Sequence, residues 1–340
     1  MTQRPRLTPA MADARRAVRE QLESLDLPSG SLVLVACSGG GDSIALAAAT
    51  AFEAPRMGLA AGAVIADHQL QAASAEVALK AKVTCEELGL SPVLIEKVNV
   101  ELSGSGMEAA ARDARYQAFE KVRISQAAEI VLLGHNLEDQ AETVLLGLAR
   151  GSGLSALAGM DAFDPARAIA RPLLGLTRDS LRQACLDQGL EFWDDPHNED
   201  AQYLRVRARK LLAEMEAELG PGIAKALSRT ANQVSEVDEV LTAMAADLVG
   251  AAKQSGTAQS VSYSIAVLEN QPTAIRTKAL HMIATRAGAK AISSVQIEAI
   301  DALITNWHGQ KSAALSGITV ERVKDQLIFT RSKPPTPGAC

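Results

Sequence analysis

Short apolar runs punctuate the first half of the chain, and helical stretches fill the gaps between them. Leu32–Cys37, Leu59–Ala66, Val93–Val98 and Ile130–Leu133 read as buried strands. An amphipathic helix over 11–25 leads the chain. Further helices are expected near Ser43–Ala51, Ser74–Leu88, Met107–Ala127 and Leu137–Ala149. Apolar strands alternating with helices of this kind predict an α/β fold, a parallel sheet covered on both faces. Ligands bind such sheets at the carboxyl ends of the strands. Three chemically marked segments fall there: Ser38–Ser43 after the first strand, Asp67-His68 after the second, and His135–Glu142 after the fourth.

The pattern changes further along. Ala168–Leu174 is expected to add an edge strand, followed by a helix from Thr177 to Gln188. After about Asp200 helices dominate, over Tyr203–Leu219, Ile223–Val249, Thr273–Ala287 and Ser294–Thr305. Gly250–Ser260 reads as a loop, and Ile318–Val323 with Gln326–Phe329 as a small hairpin around Lys324-Asp325. The expected organisation is an α/β domain over 1–215, a smaller helical domain over 216–330 ending in the hairpin, and a disordered tail over 331–340.

Composition narrows the function. The 340 residues are 47% hydrophobic, enough for more than one core, but only 3% aromatic, so helices should pack through small side chains. A net charge of −6 gives no global pull on nucleic acid; any RNA contact needs a local basic patch. No stretch approaches the roughly 20 apolar residues of a membrane span. The first residues, MTQRPRLTPAMADARRAVREQL, lack the apolar region of a signal peptide. Cys37, Cys85, Cys185 and Cys340 are scattered, with no C-x-x-C pair. They read as free thiols of a cytoplasmic protein, without a disulfide frame, metal or iron–sulfur site.

The most informative segment is Ser38-Gly39-Gly40-Gly41-Asp42-Ser43, at a strand-to-helix junction. Its glycines let backbone N–H groups approach a ligand, and the helix start behind them adds partial positive charge. That is an anion site, most simply for phosphate. No lysine follows, as a Walker loop would need, and the dinucleotide G-x-G-x-x-G spacing is absent. In the segment Gly134–Thr143, Asn136 can cap a helix, and Asp139 and Glu142 share one face of it. Those carboxylates could bind Mg²⁺, orient an ammonium group or act as a base, or simply favour the helix dipole. Glu108, Arg112 and Arg115 lie on one helix with salt-bridge spacing; the arginines suit a phosphate or carboxylate, or a solvated face. Arg205, Arg207, Arg209 and Lys210 make a basic run in an acidic chain, although a helix spreads these charges around its axis.

The loop Ser-Gly-Gly-x-Asp-Ser resembles the pyrophosphate loop of ATP pyrophosphatases, which hold the β,γ-pyrophosphate as leaving group and transfer AMP. SGGGDS at 38–43, ADHQLQAASAEVA at 66–78, MEAAARDARY at 107–116, GHNLEDQAETVLLGLARGSGLSALAGM at 134–160, RPLL at 171–174 and FWDDPHNEDAQYLRVRARKLL at 192–212 together resemble the tRNA(Ile)-lysidine synthase family. The resemblance implies a Rossmann-like PP-loop domain of the adenine nucleotide alpha hydrolase type. It also implies a reaction: ATP and Mg²⁺ adenylate C2 of the wobble cytidine in CAU-anticodon tRNA(Ile), and free L-lysine displaces AMP through its ε-amine. In that reading Ser38, Gly39, Gly40, Gly41 and Ser43 cradle pyrophosphate, Asp42 helps hold Mg²⁺, and Asp67, His68, Gly134 and His135 line the ATP site. Arg112 acts on the adenylate with Arg115 in support, Asp139 and Glu142 position lysine, and Arg205, Arg207 and Arg209 contact phosphate or tRNA. Two positions depart from the family pattern: Gln71 stands where arginine is common, and Val206 where asparagine is common. Longer relatives carry further C-terminal domains for the acceptor stem, so a short form is expected, as is a homodimer. The alternatives are a tRNA thiolase, disfavoured by the isolated cysteines, and a non-catalytic tRNA-binding protein, disfavoured by the intact loop and carboxylates.

Overall fold

The structure is a computed structural model that describes residues 7–67, 74–98, 107–151, 153–194, 202 and 204–332. His68, Gln71, Asp195–Asp200, Tyr203 and residues 333–340 of the expected tail lie outside the described residues, as does the side chain of Glu108. The chain divides into two compact units. The first comprises residues 1–152 and 156–232, the second residues 153–155 and 233–340.

In the first unit, α1 (Pro9–Leu25) starts at a Thr8 cap, with proline in its first turn. It precedes β1 (Leu32–Ala36), α2 (Gly41–Glu53), β2 (Ala60–Asp67), α3 (Ser74–Glu87), β3 (Val93–Lys97), α4 (Met107–Ser125), β4 (Ile130–Leu133), α5 (Leu137–Ala149) and the short α6 (Leu154–Leu157), whose first two residues are assigned to the second unit. Then come β5 (Phe163–Asp164), β6 (Ile169–Ala170), α7 (Arg178–Leu186) and α8 (Leu204–Leu219). The sheet order is β3-β2-β1-β4-β6-β5, parallel except where β5 runs against β6. Alternate residues of β1 face opposite ways. Val33 and Val35 join a core with Ile44, Leu46 and Leu181, while Leu34 and Ala36 join a second core with Phe119 and Val122. Burial of α2 on nearly every side needs small residues, and Ala45, Ala47, Ala48 and Ala49 supply them. Because β1 pairs with both β2 and β4, the chain leaves the centre of the sheet in one direction and returns in the other. This switch point is where open α/β sheets bind ligands. The loops after β1 and β4 meet there.

The expected edge strand Ala168–Leu174 is cut to Ile169–Ala170. Arg171 N–H still bonds Ala162 O at 2.8 Å, in register with β5, and pairing stops at Pro172, which has no N–H for a ladder. Phe163–Asp164 provides the outer edge instead.

The second unit corrects the picture more. Helix α9 (Ile223–Ala252), whose first turns are assigned to the first unit, runs through the start of the expected loop, and β7 (Lys253–Gly256) and β8 (Ser260–Ser264) follow. After α10 (Ile265–Glu269), α11 (Thr273–Ala287) and α12 (Ser294–Thr305) come β9 (Ala313–Leu315), β10 (Ile318–Val323) and β11 (Gln326–Arg331). The expected hairpin of β10 and β11 is part of a five-stranded antiparallel sheet ordered β7-β8-β11-β10-β9. Three strands of this sheet were missed: β7 is exposed throughout and has no apolar alternation, β9 is very short, and β8 alternates over only five residues. Tyr263 meets Phe329 edge-on at 5.7 Å within this core, and a buried Arg276 forms two bonds, of 2.6 and 3.0 Å, to Asp301.

Candidate active site

The loop after β1 is an anion receptor made of backbone. Gly39 adopts φ +85°, a conformation costly for any residue with a Cβ. Gly40 stands at the cap position of α2 without a side-chain cap bond, so the first-turn amides of that helix are left for a ligand. The Ser43 hydroxyl donates to Gly40 O at 2.8 Å and accepts from Ser38 N at 3.1 Å. It therefore braces the loop from inside. The Trp193 N–H donates to Gly39 O at 2.8 Å and the Cys185 thiol to Gly41 O at 3.3 Å. Gly134, at the end of β4, allows a close approach. A Cβ there would lie 3.1 Å from the Asp42 carbonyl and the Ser43 nitrogen.

Beside this receptor lies a corner of carboxylates. Asn136 caps α5 in a reciprocal box with Asp139, and its Nδ2 donates to Asp42 Oδ2 at 2.9 Å. Arg178 faces two acids: its Nε lies 3.8 Å from Asp42 Oδ2 and its Nη2 3.5 Å from Asp139 Oδ1. Arg209 does the same one turn on, with Nε 2.8 Å from Glu142 Oε1 and Nη2 3.9 Å from Asp139 Oδ1. Glu142 is 1% exposed, and burial pushes its carboxyl up although Arg209 opposes the shift. Asp42 is pushed up to about 6, again by burial first, with Arg178 pulling the other way and Asp139 adding to the rise. Asp42 Oδ1 and Glu142 Oε2 are buried without a hydrogen-bond partner among the described residues.

A cluster of arginines faces His135. Burial, then Arg171, Arg115, Arg205 and Arg112, hold the imidazole far below its ordinary range, so it is neutral. Its Nδ1 is buried and unpartnered among the described residues. Arg112 donates to the Tyr116 hydroxyl at 3.2 Å and lies over that ring. Burial and like charge from Arg205 depress both Arg112 and Arg115. Arg171 is buried, with Nη1 on Asp161 O at 2.7 Å and an Nε that has no partner among the described residues.

Asp42, Gly134, His135, Asp139 and Glu142, all predicted from sequence, lie on or beside the loops after β1 and β4. Asp67 is buried as the last residue of β2. Of the basic run, Arg205 and Arg209 are half-buried, while Arg207 and Lys210 are exposed. Val206, one of the two departures, is buried as an apolar residue between them. Arg209 lies on Glu142 rather than on an open phosphate surface. Sequence reasoning missed Arg178 and Arg171, and the bond from Asn136 to Asp42. One signal for Arg178 was available: a cation in the first turn of a helix opposes the helix dipole and needs acidic neighbours.

Comparison with known proteins agrees with this geometry. The PP-loop domain model matches residues 12–216, and the TilS substrate binding domain model matches residues 264–328. The tRNA(Ile)-lysidine synthase of Leifsonia xyli subsp. xyli is 48% identical over 89% of this chain and 91% of its own length. The chain belongs to the tRNA(Ile)-lysidine synthase family. Another member, from Thermobifida fusca, is 47% identical over 94% of this chain and 97% of its own length. Among solved structures, the U34-tRNA thiolase NcsA from Methanococcus maripaludis, with its [4Fe-4S] cluster, superposes with a TM-score of 0.57. It covers 67% of this chain and 80% of its own, at 18% identity, and so shares the fold. The family assignment thus places an ATP-using PP-loop enzyme and a substrate-binding unit on one chain. No described helix is long and apolar enough to cross a membrane.

Proposed function

We propose that this chain makes lysidine: it adenylates the wobble cytidine of CAU-anticodon tRNA(Ile) with ATP and joins free lysine to C2 of that base. The observation that carries the proposal is the meeting of a backbone anion receptor with a carboxylate corner across one hydrogen bond, Asn136 to Asp42. An adenylating ligase that takes a cationic nucleophile needs both.

In the first step the cytidine C2 oxygen attacks the α-phosphorus, and pyrophosphate leaves into the loop. The first-turn amides of α2 stabilise its charge. Arg112, Arg115 and Arg205 offset the charge that develops on the α-phosphate. Mg²⁺ fits Asp42: a buried carboxylate oxygen without a partner in the protein suits a cation whose other ligands are phosphate oxygens and water. Such an ion would neutralise the phosphate charge.

In the second step the lysine ε-amine attacks C2 and AMP leaves with the transferred oxygen. Asp139 and Glu142 hold the ammonium groups, with lysine taking the place that Arg209 occupies on Glu142. The attacking amine must be neutral, against an ordinary pKa near 10.4. Glu142, raised by burial, is better matched to take its proton than an exposed carboxylate. The homodimer that the family resemblance implies is checked by light scattering.

The test is AMP release from labelled ATP, with lysine and unmodified tRNA(Ile) omitted in turn. AMP that forms only when both are present supports the proposal. AMP that needs tRNA but not lysine points to a different nucleophile, and no AMP in any mixture contradicts the adenylation.

A further inference from the structure

Arg178 opens α7, directly after its Thr177 cap, where the helix dipole disfavours a cation. It is half-buried, with 23% of its side chain exposed, so its charge is partly stripped of water. The fold fixes it from two directions. Its own N–H donates to Glu138 Oε2 at 2.9 Å, and the Leu137 N–H donates to Leu176 O at 2.9 Å. The starts of α5 and α7 are thereby tied together. From that anchor the guanidinium fork spans two carboxylates that belong to different half-sites, Asp42 of the nucleotide loop at 3.8 Å and Asp139 of the carboxylate corner at 3.5 Å. Asn136 makes a parallel bridge between the same two residues, donating to Asp42 and accepting from the Asp139 N–H.

We propose that Arg178 is a positioning residue for both half-reactions: it holds Asp42 toward the nucleotide and Asp139 toward the lysine, and so makes the two binding sites one connected set of charges. This rests on the function proposed above. Arg178 touches neither reacting atom in that scheme and acts through the two acids. A planar fork can address two carboxylates at once, whereas the point charge of lysine on a flexible stem serves one at a time. Removing the fork should therefore affect two substrates that bind in different places.

The test is steady-state kinetics of lysidine formation, with ATP and lysine varied separately, for the wild type, Arg178→Ala and Arg178→Lys. Arg178→Ala should raise KM for ATP and KM for lysine, each by about tenfold, as it removes the 3.8 Å ion pair to Asp42 and the 3.5 Å bond to Asp139. Arg178→Lys should recover one of the two and leave the other raised. Millimolar guanidinium added to Arg178→Ala should restore part of both losses, an effect that a purely structural defect would not show. If Arg178→Ala fails to fold, the split is read from Arg178→Lys alone. An unchanged pair of KM values, a rise in one only for Arg178→Ala, or a loss that guanidinium leaves untouched would overturn the assignment. A wild-type protein that releases no AMP in the same assay would overturn the functional reading, and this inference with it.

Discussion

The phosphate loop and the carboxylate corner stand side by side at the carboxyl end of one sheet, yet they are built from opposite materials. Backbone amides and glycine conformation make the loop, whose hydroxyl Ser43 is spent on internal bonds. Side chains make the corner, where Arg178 and Arg209 lie among Asp139, Glu142 and the loop's own Asp42, and one oxygen each of Asp42 and Glu142 is buried without a partner among the described residues. A backbone receptor is fixed once the chain is folded. A receptor of buried acids holds its charges against desolvation and is complete only when a cation arrives. The loop is therefore sensitive to shape, and the corner to charge.

The largest test of that contrast is Asp42→Asn, which keeps the shape and removes the charge. AMP formation should fall by about a thousandfold or more, since electrostatic stabilisation of transferring phosphate is at stake. The same change should stabilise the ligand-free fold. Asp42 is raised to about 6 in the folded protein, so its ionised form costs stability at all pH values above that. The cost shrinks as pH falls through about 6 and vanishes below the unfolded carboxyl value, near 3.9. Thermal melts should show the variant ahead at pH 8, by on the order of 1–2 kcal/mol, less than the shift alone implies because Arg178 loses a partner. The gain should close near pH 4. A variant less stable than wild type at pH 8 would contradict the desolvated-acid account.

Gly134→Ala attacks shape and leaves charge alone. Its methyl group would press on the Asp42 carbonyl and the Ser43 nitrogen at 3.1 Å, backbone that cannot swing aside. AMP formation should fall by roughly tenfold to a hundredfold, the scale of a small displacement at a reacting centre. Wild-type rates would show that the loop tolerates movement. Glu142→Ala comes next. It should raise the lysine requirement about tenfold while the ATP requirement changes little. Equal effects on both substrates would remove Glu142 from the lysine site. Arg207→Ala should do least. Exposed on α8, it should weaken tRNA binding only about two- to fivefold and flatten its salt dependence. Affinity and salt slope, measured over a range of potassium chloride, check this.

The loop was legible because its signal is local: glycines between an apolar strand and a helix can do little else. The parallel sheet was legible for the same reason, since β1, β2, β3 and β4 are apolar runs. The corner was only half legible. Asp139 and Glu142 declare themselves by spacing on α5. Arg178 lies far along the chain, and the fold brings it to Asp42 with no periodicity to announce it. The basic run was legible as charge but not as direction: burial of Val206 and Ala208 turns Arg209 onto Glu142 and leaves Arg207 outside. In the second unit the apolar β10 and β11 stood out, while the exposed β7 was hidden by its own polarity.

The central claim is that the two receptors serve one reaction on one base. The most direct measurement is to incubate the protein with ATP, isotopically labelled lysine and unmodified CAU-anticodon tRNA(Ile), digest the tRNA to nucleosides and weigh them. The account predicts a nucleoside heavier than cytidine by one labelled lysine less one water, joined through the ε-nitrogen and formed at the wobble position. Unmodified cytidine, or a wobble nucleoside carrying any other group, would contradict it.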